Sequence, residues 1–192
     1  MAKKHEFRPD KVRFSILSHL ILTQRQKRRL LKWILYAAML LLLSVVQDVL
    51  LSRVRVQGAT TELVPCAIFL ICVIEGTQSG SIFSLVASLL YHFSVNDLGV
   101  YAVLFITFLA IIVTAFRQGY LRKGFAATML CTVAALLVYE LLLFVIALFL
   151  QKTLPNRVVG FLITAGMTML VAPLIYLPAK AINSIGDNAW KE

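Results

Sequence analysis

ELVPCAIFLICVIEGTQSGSIFSLVASLLYHFSVNDLG, from Glu62 to Gly99, is apolar enough for lipid and yet is broken at its centre by Glu75-Gly76-Thr77-Gln78-Ser79-Gly80. Each glycine weakens a helix by roughly 1 kcal/mol, and no water inside a bilayer satisfies exposed backbone groups. Two crossings are open to such a stretch. Leu63 to Ile74 alone makes a helix about 18 Å long, short of the roughly 30 Å hydrocarbon core. Residues 63–93 as one helix are about 46 Å long, with the glycines near mid-membrane.

Charge arbitrates between them. Cytoplasmic loops carry an excess of Lys and Arg. With two passes the chain has six spans, and 15 of the 19 Lys and Arg fall on the cytoplasmic side against 4 outside. With one pass every later loop changes side and the split falls to 12 against 7. Two passes are expected, with a cytoplasmic turn at Gly76 to Ser79 and short helices that need local thinning or polar ends near the interface.

The rest of the chain agrees with a membrane domain. Of 192 residues 60% are hydrophobic and 15% charged, and the mean hydropathy is +0.86, far from a soluble average. Apolar runs near 33–52, 63–75, 81–93, 98–116, 125–150 and 158–179 leave loops too short for a separately folded catalytic domain. The expected fold is an all-α integral membrane protein with six transmembrane helices and both termini cytoplasmic. It divides into a basic amphipathic segment 1–32, a transmembrane domain 33–182 and a polar cytoplasmic tail 183–192. Pro173 should kink the last span and Pro178 end it.

The net charge is +10, and ten of the positives precede the first apolar run. Beside a membrane span such a cluster points to orientation and anionic lipid, not nucleic acid. Phe14, Leu17, Leu20 and Ile21 recur at helical spacing between Lys11, Arg13 and the cluster Arg25, Lys27, Arg28, Arg29, Lys32. That pattern reads either as a basic helix lying on the membrane surface or as a polar tail that holds the N-terminus inside.

Gly76, Gly80, Ser84 and Ser88 recur every fourth residue, so they share one helical face. Small residues at this spacing let another backbone approach closely. The partner is either a helix of the same chain or a transmembrane helix of another protein. Glu140 lies near the centre of the fifth apolar run, where a carboxylate costs roughly 2.5 to 3.5 kcal/mol on insertion scales. A structural contact with Gln47, Gln78 or a small-residue helix is favoured for it over ion or substrate handling. Gln47 and Asp48 close the first span, next to Ser52, Arg53 and Arg55, where snorkelling at the interface is expected.

Cys66, Cys72 and Cys131 lie inside apolar runs at spacings unlike zinc or disulfide patterns. There is no Walker loop, HExxH, Gly-x-Ser-x-Gly, paired intramembrane carboxylate or histidine cluster. No catalytic residue, metal ligand or cofactor-binding residue is expected, and no enzymatic activity.

Val46-Gln47, Glu62-Leu63-Val64-Pro65, Gly76 to Gly80, Asp97-Leu98-Gly99 leading into Val100-Tyr101-Ala102-Val103, and Pro173-Leu-Ile-Tyr-Leu together resemble the MreD family of rod shape-determining membrane proteins. The resemblance covers about residues 33–180. It departs where the family commonly has Pro-Asp after span one, and at Tyr91 and Val95, where many members have an acid and a glycine. The resemblance implies a bacterial plasma-membrane protein without activity of its own. It would join an MreC-like protein and, through it, MreB filaments, a RodA-like glycosyltransferase and a class B penicillin-binding protein of the elongation machinery. The family also resembles in fold the substrate-binding subunits of energy-coupling-factor vitamin transporters, which supplies an alternative function. Those subunits typically carry Ala-x-x-x-Ala on span one, where this chain has Ala37-Ala38 followed by Leu41-Leu42.

Overall fold

The structure is a computed structural model that describes residues 24–49, 61–94, 99–121, 124–151, 153 and 158–187. The amphipathic pattern before Gln24, the loop with Arg53 and Arg55, the Asp97-Leu98 element and the last five residues lie outside the described residues. Six helices follow one another: α1 (Gln24–Val49), α2 (Leu63–Glu75), α3 (Thr77–Ser94), α4 (Gly99–Tyr120), α5 (Phe125–Phe149) and α6 (Val158–Asp187). No strand occurs among the described residues. Four helices are long and apolar enough to cross a membrane: Gln26–Val49, Val100–Tyr120, Phe125–Phe149 and Val158–Ile185. Their outer faces present Leu41, Phe108, Leu141 and Leu170 to the surroundings, an arrangement unfavourable in water and suited to lipid. The fold is that of a multi-pass helical membrane protein.

α2 is the axis of the bundle. A helix that is apolar on every side belongs inside the protein, and every residue from Leu63 to Val73 is buried. α2 touches all five other helices. Pro65 falls in its first turn, where the missing N–H has no intrahelical partner to lose.

The chain turns back at Gly76, which adopts φ +93°, a left-handed conformation that glycine reaches without strain. A side chain there would also meet the amide of Gln118, 2.5 Å from the place of a Cβ. One turn later Gly80 rests on α2, where a Cβ would lie 2.9 Å from the Cys72 carbonyl oxygen and 3.0 Å from its Cα. The Cys72 thiol donates to the Gly80 carbonyl at 3.1 Å. α2 and α3 therefore form a tight antiparallel hairpin, and Tyr91 near the end of α3 returns to the level of Glu62.

Two helix boundaries differ from expectation. The basic residues from Arg25 to Lys32 are the first turns of α1, continuous with the apolar run, so this part of segment 1–32 is not a separate surface helix. α6 continues through both Pro173 and Pro178 to Asp187. A proline deletes one backbone hydrogen bond, which packed membrane helices tolerate, and the extra turns bring Asn183 to Lys32. Asn183 thus packs against the bundle, and α6 runs on to Asp187 within the segment expected as a polar tail.

Candidate functional site

The small-residue stripe is used inside the chain. Gly80 faces Cys72 on α2, Ser84 and Ser88 are fully buried, and the Ser88 hydroxyl shares a 3.1 Å hydrogen bond with that of Thr107 on α4. Ser84 and Ser88 satisfy themselves further by donating to the Ser81 and Leu85 carbonyls. Of the two partners read from the sequence, the helix is one of this chain. The stripe offers no surface to a second protein.

One end of the bundle carries an ion-pair knot. Lys32 of α1 lies 2.6 Å from one carboxylate oxygen of Glu75 and donates to the other at 2.8 Å. It also donates to the Asn183 side-chain oxygen of α6 at 2.8 Å, while the Tyr36 hydroxyl donates to Glu75 at 2.7 Å. Lys32 is therefore not a lipid-facing base like its neighbours Lys27, Arg28 and Arg29, which are exposed. The acid Glu75, which the sequence presents as part of a turn, is its counterion. Arg117 at the end of α4 donates to the Val73 carbonyl, and Thr77 donates to Gln118. A guanidinium at the carboxyl end of α2 suits both its orphan carbonyls and its dipole.

The second polar cluster lies deep in the bundle near the other end. The Glu62 backbone N–H donates to the Thr168 hydroxyl of α6 at 3.1 Å, and the Val64 N–H donates to the Gln47 side chain of α1 at 3.1 Å. These two bonds serve orphan donors at the start of α2. Thr168 stands about 15 Å below Val158 at the head of α6, and Glu140 stands about 14 Å from Phe149 at the end of α5, by helical rise. The start of α2 thus lies about a third of the way along α6 from its head, by helical rise.

Glu62 and Glu140 lie within electrostatic reach of each other, and both also act on Tyr91 and Tyr139. Glu140 is 3% exposed, and its Oε1 has no hydrogen-bond partner. Glu62 Oε2 and the hydroxyl of Thr61 are likewise sealed and unpartnered. The expected contact of Glu140 with Gln78 is not formed, since Gln78 lies at the far end of α3. Gln47 serves the α2 backbone and lies at the Tyr91 hydroxyl, and Asp48 adds its charge to the Tyr91 surroundings. Glu140 thus has a second carboxyl group, that of Glu62, within electrostatic reach. Sequence reading missed Glu62 because it sits at a helix start that looks like an interface. The signal that could have found it is the shortness of 63–75, an apolar run too short to reach both faces of a bilayer.

Between α1 and α3 runs an apolar groove of about 900 Å³, with Val64 of α2 as its floor. Arg29, Gln78 and Ser79 line one end and Ser44 and Tyr91 the other. Trp33, Tyr36 and Phe83 cross-brace the first end through ring contacts of 5.6 to 5.9 Å. The free cysteines Cys66, Cys72 and Cys131 are buried and apart from these sites. Among the described residues no group of three or more His, Cys, Asp and Glu is placed to hold a metal ion.

No protein-family model, curated protein or solved structure matches the chain. Its class, a multi-pass helical membrane protein, rests on the helices themselves.

Proposed function

We propose that the chain is a non-catalytic scaffold of the bacterial cell-elongation machinery, crossing the plasma membrane six times with both termini cytoplasmic and binding the transmembrane helix of an MreC-like protein. Through that partner it would reach MreB filaments, a RodA-like glycosyltransferase and a class B penicillin-binding protein. The observation that carries this reading is the α1–α3 groove. Its walls extend about 20 Å along α3 from Gln78 to Tyr91. Small side chains at Ala37, Ser44, Ser79 and Ala87 leave room between exposed Leu41, Ile82, Val86 and Leu90. Such a trough receives a helix by close packing, the force that associates helices in lipid. The MreD resemblance of the α2–α3 hairpin supports the same reading.

Filling the groove tests it. Ile82→Trp and Val86→Trp add bulk at exposed positions and should leave the thermal midpoint of the purified protein nearly unchanged. Co-purification with an MreC-like protein should fall at least tenfold and cells should round. Undiminished association and rod shape with both variants would remove the groove from this reading.

The sealed polar cluster around Glu62 and Glu140 favours a second reading, a substrate-binding membrane subunit of an energy-coupling-factor type transporter. That reading expects a small molecule to travel with the purified protein. Native mass spectrometry showing only the bare chain would count against it.

A further inference from the structure

We infer that, in the chain without a partner helix, the α1–α3 groove holds one anionic phospholipid, with its phosphate at Arg29 and an acyl chain lying along Ile82 to Leu90. The inference rests on the same groove as the scaffold reading but not on any partner. Lipid and docking helix take the trough in turn.

Helix register gives the groove two unlike ends. Lys32 near the start of α1 meets Glu75 at the end of α2, and Gln47 near the end of α1 meets Val64 at the start of α2, so α1 runs in the same direction as α3. Trp33 packs on Phe83 with ring centroids 5.6 Å apart. One turn back along both helices stand Arg29 and Ser79, with Gln78 beside them, and one turn onward stand Ala37 and Ala87. Arg29, Gln78 and Ser79 therefore share one mouth, and the wall beyond it is apolar. From Ile82 to Leu90 that wall is about 12 Å long by helical rise. Half of the roughly 30 Å hydrocarbon core, the depth that a lipid tail reaches from one side, is of similar length. The volume of about 900 Å³ lies toward the upper end of the roughly 300 to 1,000 Å³ of ligand cavities.

Charge selects the headgroup. Arg29 has no carboxylate partner among the described residues, and a guanidinium takes phosphate oxygens two at a time. The Gln78 amide and the Ser79 hydroxyl add donors at the same mouth. Lys27 and Arg28 stand exposed on α1 nearby, while the acid at this end, Glu75, is taken by Lys32. A choline or ethanolamine headgroup would bring a further cation to this cluster. A headgroup such as glycerol leaves the phosphate's negative charge uncancelled and complements it.

The test uses the full-length chain with Trp190→Phe, which leaves Trp33 in the groove wall as its single tryptophan. In vesicles, phosphatidylglycerol with brominated tails should quench Trp33 with about tenfold preference over phosphatidylcholine with the same tails. Arg29→Gln should cut that preference about fivefold. Lys27→Gln, at an exposed position that does not line the groove, should cut it by less than about twofold. Equal quenching by the two lipids overturns the site, and so does an equal loss in the two variants, which describes a diffuse basic surface. The wild-type chain supplies a second measurement that no misfolded variant can affect. In native mass spectrometry from a nonionic detergent it should retain one added phosphatidylglycerol under activation that strips phosphatidylcholine, and retention of neither overturns the site. A chain that keeps this preference but binds no helix would remove the scaffold reading and leave this inference standing. A chain that binds the helix and shows no preference would do the reverse.

Discussion

Lys32 shows how little a charge's neighbours in sequence say about its work. It stands in a run of bases, yet Lys27, Arg28 and Arg29 are exposed while Lys32 reaches across to Glu75 and Asn183. Its partners are 43 and 151 residues away, so the pairing exists only once α1, α2 and α6 have packed. Removing one member of a buried pair costs about 3 to 5 kcal/mol because the other is left uncompensated, whereas removing both can be nearly neutral. Lys32→Met should therefore lower the thermal midpoint more than Lys32→Met combined with Glu75→Gln. Denaturation of the three proteins in the same detergent checks the order, and additive losses would mean that the two groups do not interact. The same reasoning explains why Glu140 was recognisable as an anomaly but its counterpart was not. A carboxylate in the middle of an apolar run announces itself, while Glu62 beside Thr60 and Thr61 reads as loop until the fold carries it inward.

At the scale of the element, the α2–α3 hairpin was the most legible part of the chain. The glycines, the polar turn residues and the balance of positive charges all pointed to a reversal near Gly76, and the backbone reverses there. What the four-residue spacing left open was which helix the stripe meets. Spacing defines a face but not its occupant, and the occupants turn out to be α2 and α4. Gly80→Leu and Ser84→Leu should consequently destabilise the protein itself, by about 1 to 3 kcal/mol from overpacking, whether or not a partner is present. Thermal melts of the isolated protein check this, and a wild-type midpoint for both would show that α3 can shift freely on α2. The extension of α6 past Pro178 was illegible for a different reason. Proline is a reliable stop signal in water, but where neighbouring helices hold both flanks the lost hydrogen bond does not decide the boundary.

At the scale of the whole molecule, the contacts put Lys32, Gly76, Gln118 and Asn183 at one end and Glu62, Tyr91 and the end of α5 toward the other. If all six helices cross, single cysteines at Gln78, Gln118 and Ser184 should label from the cytoplasm, and cysteines at Phe93 and Gln151 from outside. Any exchange between the two groups would refute six crossings. Composition made the membrane class legible at once, because every long helix is apolar on the outside. The sunken start of α2 was not, since depth depends on where neighbouring helices end. That depth has an electrical consequence. If all six helices cross with this end facing outward, a charge passing to the level of Glu62 and Glu140 would cross part of the low-dielectric layer, and a full crossing is worth about 2.3 kcal/mol per elementary charge at 100 mV. Part of the membrane voltage would then act on a proton exchanged by the two acids, and their protonation would shift with how well the cell is energised.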